Sequence, residues 1–435
     1  MTDLLKTVTL GCKVNQYETQ LVREGLLGIG YRDADTQQTA NLCIVNTCTV
    51  TQEGDSKSRQ VIRRLARENP ESRIVVMGCY ATRAPEELSA LPNVSEVVTD
   101  KREIPDLLGR FGVIDIPSGI SQFGDRHRAY VKVQDGCLLR CSYCVIPSVR
   151  PGLHSRPVDA ILEEVGRLTD NGYREIVLTG IHLGHYGVEG NWNKPKSEWL
   201  RLSHLLENIA NLDGDFRIRL SSIEATEMTR ELIQVMATYQ ERICPHLHIC
   251  LQSGSDRVLR RMKRRWSTRT FQQRCELIHD ALDQPALTTD IIVGFPGETD
   301  SDFEASCQLV REIGFSKIHA FPFSPRRGTP AADFPDQIPK RIKRDRSREL
   351  TRIEGALRED YFRSLCGRQL QVLTESCDPV TGIWTGTSCR YTPTELPKSD
   401  SIDAGQLVEV QALDANSERV YTGTLPIPAR SVGVC

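Results

Sequence analysis

Cys137, Cys141 and Cys144 lie in the run Gln134-Asp-Gly-Cys-Leu-Leu-Arg-Cys-Ser-Tyr-Cys144, with three residues between the first pair and two between the second. That spacing lets one short loop offer three thiolates to three corners of a four-iron cubane, leaving the fourth iron without a protein ligand. An open iron can bind and reduce a small cofactor, which a structural zinc site closed by four ligands cannot do. The apolar alternation of Ala129-Tyr-Val-Lys-Val133 places the loop at the exit of a strand. The competing reading, small cysteines buried as hydrophobes, leaves the spacing unexplained.

Three more cysteines follow strand-like runs near the N-terminus. Leu10 is followed by Gly11-Cys12, Val45 by Asn46-Thr47-Cys48, and Met77 by Gly78-Cys79. Strand candidates at Thr7–Leu10, Leu42–Val45, Ile74–Met77 and Glu96–Val98 alternate with helical stretches near Gln16–Leu27, Lys57–Glu68 and Pro85–Leu91. The alternation predicts an open parallel sheet over residues 1–125, flanked by helices. Ligands of such sheets gather outside the carboxyl ends of the strands, where Cys12, Cys48 and Cys79 could converge on one metal. Cysteine is also common at buried strand ends, and Cys43, inside the second strand, reads as core.

A second alternation begins near Arg128 and runs to about Arg327. Its strands are expected at Ala129–Val133, Glu175–Thr179, Arg217–Ser221, His246–Leu251, Thr288–Val293 and Lys317–Phe323. Helical patterns separate them, at Pro157–Leu168, Trp199–Leu212, Thr229–Tyr239, Thr268–Leu282 and Ser301–Ile313. Successive βα units predict a partial (βα)6 TIM-like barrel over residues 126–340, with its chemistry at the strand exits. A helical connector, residues 341–365, leads to short β-like runs at Leu370–Thr374, Gly382–Thr385, Leu407–Ala412 and Val420–Thr424. These predict a small antiparallel β-barrel over residues 366–435.

The whole chain reads as an α/β protein of 435 residues, long enough for about three domains. The N-terminal residues carry no charged-then-apolar leader pattern, and no apolar run is long enough for a membrane helix, so a cytoplasmic protein with no membrane partner is expected. Fifteen cysteines, an odd number, argue for metal ligation over a disulfide framework in a reducing compartment. A net charge of −2 means that any nucleic-acid surface must be local.

Several ordered motifs add to the two cysteine sets. They are Thr9-Leu-Gly-Cys-Lys-Val-Asn-Gln-Tyr-Glu18, Val45-Asn-Thr-Cys-Thr-Val50, Met77-Gly-Cys-Tyr80, Leu178-Thr-Gly-Ile-His-Leu-Gly184, Arg219-Leu-Ser-Ser-Ile-Glu224, His248-Ile-Cys-Leu-Gln-Ser-Gly-Ser255, Ile291-Ile-Val-Gly-Phe-Pro-Gly-Glu298 and Phe323-Ser-Pro-Arg-Arg-Gly-Thr329. Over nearly its whole length the chain resembles the methylthiotransferases of the radical S-adenosylmethionine superfamily, and its C-terminal barrel resembles their RNA-holding TRAM domain. The resemblance implies a [4Fe-4S] cluster on Cys137, Cys141 and Cys144 that binds S-adenosylmethionine and cleaves its sulfonium bond. It implies a second [4Fe-4S] cluster on Cys12, Cys48 and Cys79 that carries the sulfur to be transferred. An external electron donor, flavodoxin-like or another reductant, is implied as well. The cofactors would do the hard chemistry while the protein positions them.

The resemblance also points to residues around S-adenosylmethionine. Tyr143 lies inside the cysteine loop, and Thr179 and Gly180 stand at the second strand exit. Glu224 and Gln252 end the third and fourth strands, and Gly294 and Glu298 form a turn near the expected adenine. A phosphate-loop reading of that turn fails, because no Gly-Lys-Ser/Thr follows. Each of these side chains could equally be a structural strand-end group. His182, His185 and His248 read as packed or hydrogen-bonded.

Arg260, Arg261, Lys263, Arg264 and Arg265, beside Trp266, fit RNA backbone binding with stacking, although such a run is often a solvated helix face. Arg326 and Arg327 add to this charge. The C-terminal barrel itself has five Lys/Arg against eight Asp/Glu from Cys366 onward, which weakens a purely electrostatic grip there.

The Gly11–Glu18 segment most resembles the branch acting on N6-threonylcarbamoyladenosine in the tRNA anticodon stem-loop. Isopentenyladenosine in tRNA and a ribosomal-protein aspartate are the alternatives within the family. Thr82, Cys250 and Phe323 depart from the family pattern, which bears on substrate detail and not on the cysteine sets. A cobalamin-dependent radical methylase would lack the Cys12, Cys48 and Cys79 set and would carry an Asp-x-His-x-x-Gly pattern, absent from residues 1–125. A non-enzymatic RNA-binding protein would favour closed four-ligand metal sites.

Overall fold

The computed structural model describes residues 3–423 apart from Thr36, Asp125 and Asp400. Thr424, expected to end the last strand, and the rest of the expected C-terminal barrel to residue 435 lie outside the described residues. The N-terminal sheet has five parallel strands in the order Arg32–Asp33, Leu4–Thr9, Leu42–Thr47, Arg73–Gly78, Val94–Val97. Leu42–Thr47 is buried along its whole length, as a parallel strand covered on both faces must be. One face packs Val45 and Val76 against Ile62 and Leu65 of the helix Gln52–Glu68. The other packs Leu5 and Ile44 against Val22 and Leu26 of the helix Lys13–Gly28.

The barrel strands are Arg128–Asp135, Glu175–Gly180, Arg217–Leu220, His246–His248, Ala286–Val293 and Lys317–Pro322, in sequence order. Parallel bridges Ile218↔Ile243 and Ile223↔Ile249 join the third strand to the fourth. Among the described residues no pairing closes the last strand onto the first, so the barrel is partial. The fourth strand stops at His248, short of the expected Leu251, and the chain continues through isolated bridges at Ile249 and Gln252. The expected helix Trp199–Leu212 is shorter, Leu202–Ala210, because a separate turn at Lys196–Glu198 precedes it. No helix among the described residues is long and apolar enough to cross a membrane.

A helix over Lys340–Ser364 leads to a closed five-stranded barrel, in the order Gln369–Cys377, Trp384–Ser388, Pro393–Leu396, Val420–Thr422, Leu407–Ala415. Pro393–Leu396 is absent from the sequence expectation, since prolines at 393 and 397 break the strand pattern. It also corrects the all-antiparallel expectation, because it pairs in parallel with Val420–Thr422.

The C-terminal barrel is locked to the central one through buried charge. Glu175, fully buried, accepts from Arg217 Nε at 2.7 Å and from Arg219 Nη2 at 2.9 Å. The same two guanidinium groups donate outward to the carbonyls of Gln371, Thr387, Ser388 and Cys389 at 2.7–3.0 Å. Burial alone would raise the Glu175 carboxyl, but Arg219 and Arg217 hold it well below the usual carboxylate range.

Glu175→Gln leaves two guanidinium groups buried beside a neutral amide, a loss of about 3–5 kcal/mol measured by denaturant titration. Because the folded carboxyl is depressed, its contribution is present above the unfolded value near pH 4.5 and is lost as pH falls below it. The wild type should therefore lose stability on acidification more steeply than Glu175→Gln.

Candidate functional site

The strands before Cys12, Cys48 and Cys79 are adjacent, parallel and in register, with Thr9 opposite Asn46 and Asn46 opposite Met77. Each cysteine lies two or three residues past that common line, so the three thiols meet at one edge of the sheet. Backbone demands fix the turns. Gly11 has φ +104°, and a Cβ there would stand 2.9 Å from Cys48 Cβ. Gly78 has φ +98°, and a Cβ there would meet Thr47 O at 2.4 Å. Asn15 ties the first two exits together by donating to Leu10 O at 3.0 Å and Thr47 O at 3.1 Å. Thr47 Oγ1 ties the second to the third by donating to Met77 O at 2.7 Å. Cys43 is in the core, as expected.

The second set leaves the first barrel strand. Ser142 anchors its loop by donating from N–H to Met262 O at 3.0 Å and from Oγ to Arg261 O at 2.8 Å. Donors converge on the sulfurs. Leu139 N–H points at Cys137 Sγ from 3.4 Å, and Arg264 Nη1 lies 3.2 Å from Cys141 Sγ. His182 Nδ1 is 3.6 Å from Cys137 Sγ, and its other ring nitrogen is held by Glu227.

Burial, reinforced by neighbouring thiols, pushes Cys144 up to about 12 and Cys48 up to about 11. Such thiols ionise only when a cation takes the proton's place. Two sets of three cysteines, with N–H donors directed at sulfur in both, fit iron–sulfur clusters held by three thiolates.

Arg150, just beyond the second set, connects the two. Its Nε donates to Cys79 Sγ at 3.3 Å, and its Nη2 to Asn15 Oδ1 at 2.9 Å and Glu18 Oε2 at 2.8 Å. Its Nη1 reaches Glu18 Oε1 and Asp135 at 2.8 Å. Lys132 Nζ closes the group, 2.8 Å from Glu18 and 2.6 Å from Asp135. A second tie runs from Arg326 Nη2 to Asp55 at 2.7 Å and Thr49 at 2.8 Å.

These contacts correct the expected RNA surface. Arg326 is buried in the inter-domain tie, and Arg264 is buried between Glu224, Cys141 and Tyr143, so neither faces solvent. Trp266 is also buried, with the Arg264 guanidinium 3.9 Å above its ring, and cannot stack on a base. Arg260, Lys263, Arg265 and Arg327 are exposed, and Arg261 is half-buried over Phe334.

The expected cofactor residues divide in the same way. Tyr143 and Glu224 meet at Arg264 beside Cys141. Thr179 is buried at its strand end, and Gly180 lies against Gln134, whose Oε1 accepts from His182 N–H at 2.8 Å. Gln252 holds a left-handed backbone, φ +69°, fixed by bonds of 2.8 and 2.9 Å to Asp290 O and from Ile292 N–H. The Gly294–Glu298 turn is different. Lys343 covers Gly294, while the Glu298 carboxylate accepts from Gly294 and Phe295 N–H and pairs with Arg346 at 3.1 Å. That carboxylate is occupied by its own turn and the connector helix. Arg150, Gln134 and Glu227 escaped the sequence reading. Arg150 left one trace, as the charged residue ending the mostly apolar run Val145-Ile-Pro-Ser-Val149.

Comparison with known proteins is consistent with this layout. The Radical SAM superfamily matches residues 131–310, and Uncharacterized protein family UPF0004 matches residues 5–100. The chain is 38% identical to threonylcarbamoyladenosine tRNA methylthiotransferase MtaB of Bacillus subtilis, over 94% of this chain and 93% of that protein. It is 32% identical to tRNA-2-methylthio-N(6)-dimethylallyladenosine synthase of Aquifex aeolicus, over 84% of this chain and 87% of that protein. The radical S-adenosylmethionine methyltransferase TsrM of Kitasatospora setae, solved with cobalamin and a [4Fe-4S] cluster, shares the fold at TM-score 0.54 and 13% identity, over 76% of this chain and 77% of that one.

Arg150→Met leaves Glu18 buried with Lys132 as its remaining cation and removes the donor to Cys79. A stability loss of about 3–5 kcal/mol is expected in denaturant titration of the reduced protein. A loss under about 1 kcal/mol would mean that the joint is held elsewhere.

Proposed function

Because the chain belongs to the methylthiotransferase family of radical S-adenosylmethionine enzymes, we propose that it converts N6-threonylcarbamoyladenosine in the tRNA anticodon stem-loop to its 2-methylthio derivative, using two [4Fe-4S] clusters. The observation that carries the two-cluster reading is the pair of three-thiol sites joined through Arg150, which follows one set and donates to the other. The substrate reading is supported by the relative acting on threonylcarbamoyladenosine, at 38% identity, ahead of the dimethylallyladenosine synthase at 32%.

Cys137, Cys141 and Cys144 hold one cluster in this reading, and Cys12, Cys48 and Cys79 hold the other. When bound, the clusters and S-adenosylmethionine supply reductive cleavage of the sulfonium bond, hydrogen removal from carbon, and the methylthio group itself. The protein's part is positional. Arg264 and Leu139 N–H donate to sulfur at the first set, and Arg150 does so at the second. Such donors stabilise thiolate and tune a cluster's potential. Tyr143 and Glu224, which meet at Arg264 beside Cys141, together with Thr179, Gly180 and Gln252, would contact the cofactor in this reading. Exposed Arg260, Lys263, Arg265 and Arg327, with the half-buried Arg261 and the C-terminal barrel, contact the RNA backbone. A flavodoxin-like or other reductant supplies the electron.

Anaerobic reconstitution should give about eight iron atoms per chain. Replacing Cys12, Cys48 and Cys79 with alanine should halve that, abolish methylthiolation and leave S-adenosylmethionine cleavage measurable. Full iron retention in that variant overturns the two-cluster reading. Nucleoside analysis of tRNA from cells lacking the protein should show loss of methylthiolated threonylcarbamoyladenosine. Loss of the methylthiolated dimethylallyl nucleoside in its place would transfer the assignment to the other branch.

A further inference from the structure

The inner face of the partial barrel carries a polar cluster that the cysteine sites do not use. His248, Asp290 and His319 stand on three adjacent parallel strands, with His248 opposite Thr288 and Asp290 opposite His319. One nitrogen or oxygen from each lies within 4.8 Å of the others. His248 Nε2 is 3.3 Å from Asp290 Oδ1, and its Nδ1 is 2.9 Å from Thr288 Oγ1. A closed barrel packs such positions with branched apolar side chains. Here Asp290 and His248 are half-buried and His319 is exposed, so this part of the interior is open and polar.

His246, two residues before His248 and on the same strand face, is buried with both ring nitrogens unpartnered. Buried polar atoms without partners are uncommon and call for a completing group, whether an ordered water, an ion or a ligand.

Lys13 of the N-terminal domain lies within electrostatic reach of Asp290 and His246. It directly follows Cys12 and is half-buried. The charged groups that act on it are Arg219, Arg128 and Asp290, with the Cys12 thiol beside it in sequence. Arg219 and Arg128 are paired with Glu175, and Asp290 is within reach of His248. Among the described residues the Lys13 ammonium has no carboxylate within ion-pair distance, while its neighbours Arg219 and Arg128 already share Glu175.

We infer that Lys13, together with His246, His248, Asp290 and His319, forms the subsite for the carboxylate-bearing substituent of the substrate base, and that Lys13 selects an acidic substituent over an apolar one. The inference rests on the substrate reading above and assigns it to residues. The chemistry of the base supports the placement. In adenine, carbon 2 and the carbon bearing the N6 amine flank the same ring nitrogen. A base offering carbon 2 to the sulfur held near Cys12 therefore brings its N6 substituent close by, within range of the residue after Cys12. A threonylcarbamoyl group carries a carboxylate for Lys13, and a hydroxyl and a urea for the histidines and Asp290. A dimethylallyl group carries none of these and would desolvate Lys13 without compensation, so the same subsite disfavours it.

The test measures the affinity of the reconstituted protein for three synthetic anticodon stem-loops, bearing threonylcarbamoyladenosine, its carboxamide analogue or dimethylallyladenosine. Wild type, Lys13→Met and Lys13→Arg are compared at equal iron content. Wild type should bind the carboxylate form about tenfold or more tighter than the carboxamide, the scale of one charge-assisted bond. Lys13→Met should erase that difference, and Lys13→Arg should restore most of it. If wild type discriminates and Lys13→Met discriminates equally, this assignment is overturned while the substrate reading stands. If wild type prefers the dimethylallyl stem-loop, the substrate reading itself has failed.

Discussion

Arg150 is the constraint on which the rest of the arrangement depends. A guanidinium cannot shed its proton, so burying one obliges the fold to surround it with acceptors in fixed positions. Here the acceptors come from two domains: Glu18, Asn15 and Cys79 from helices of the N-terminal domain, and Asp135 from the first barrel strand. The guanidinium fork thus sets the distance and angle between the domains at the place where the cysteine sets approach each other. Lys132, close to both Glu18 and Asp135, balances the charge of the group.

The same device recurs at the far end of the barrel. Glu175 holds Arg217 and Arg219, and their remaining donors satisfy carbonyls of the C-terminal barrel. Arg326 with Asp55 supplies a third tie, on the side of Cys48. Three folding units are therefore joined by buried arginines as well as by apolar contacts such as Cys79 with Val145 and Val149. Arginine–acceptor joints are directional, whereas apolar seams can slide, and a site assembled from several domains needs fixed direction. The barrel interior between these ties stays open and polar.

How much of this was legible in the sequence follows from what each signal measures. The cysteine sets and their strand exits were readable because Cys-x3-Cys-x2-Cys spacing and short apolar runs are local patterns. The alternation of strand and helix gave the two α/β units for the same reason. Direction was not readable. In the run from Arg260 to Arg265 nothing local shows that Arg264 turns inward to Glu224 and Cys141 while Arg260 and Arg265 face solvent. Arg326 and Arg327 are neighbours with opposite fates, one buried against Asp55 and the other exposed. The ion-pair partner of Glu298, Arg346 on the connector helix, is distant in sequence and left no local trace. Arg150 was missed because its partners come from residues 15, 18, 79 and 135, a coincidence that only the fold creates.

The central claim is that this fold presents two separate three-thiol iron sites on either side of Arg150. Anomalous diffraction at the iron edge, from crystals of anaerobically reconstituted protein, tests it most directly. The account requires two iron maxima, one bounded by Cys12, Cys48 and Cys79 and the other by Cys137, Cys141 and Cys144, with Arg150 between them. A single maximum, or a second one centred on other cysteines, would contradict it.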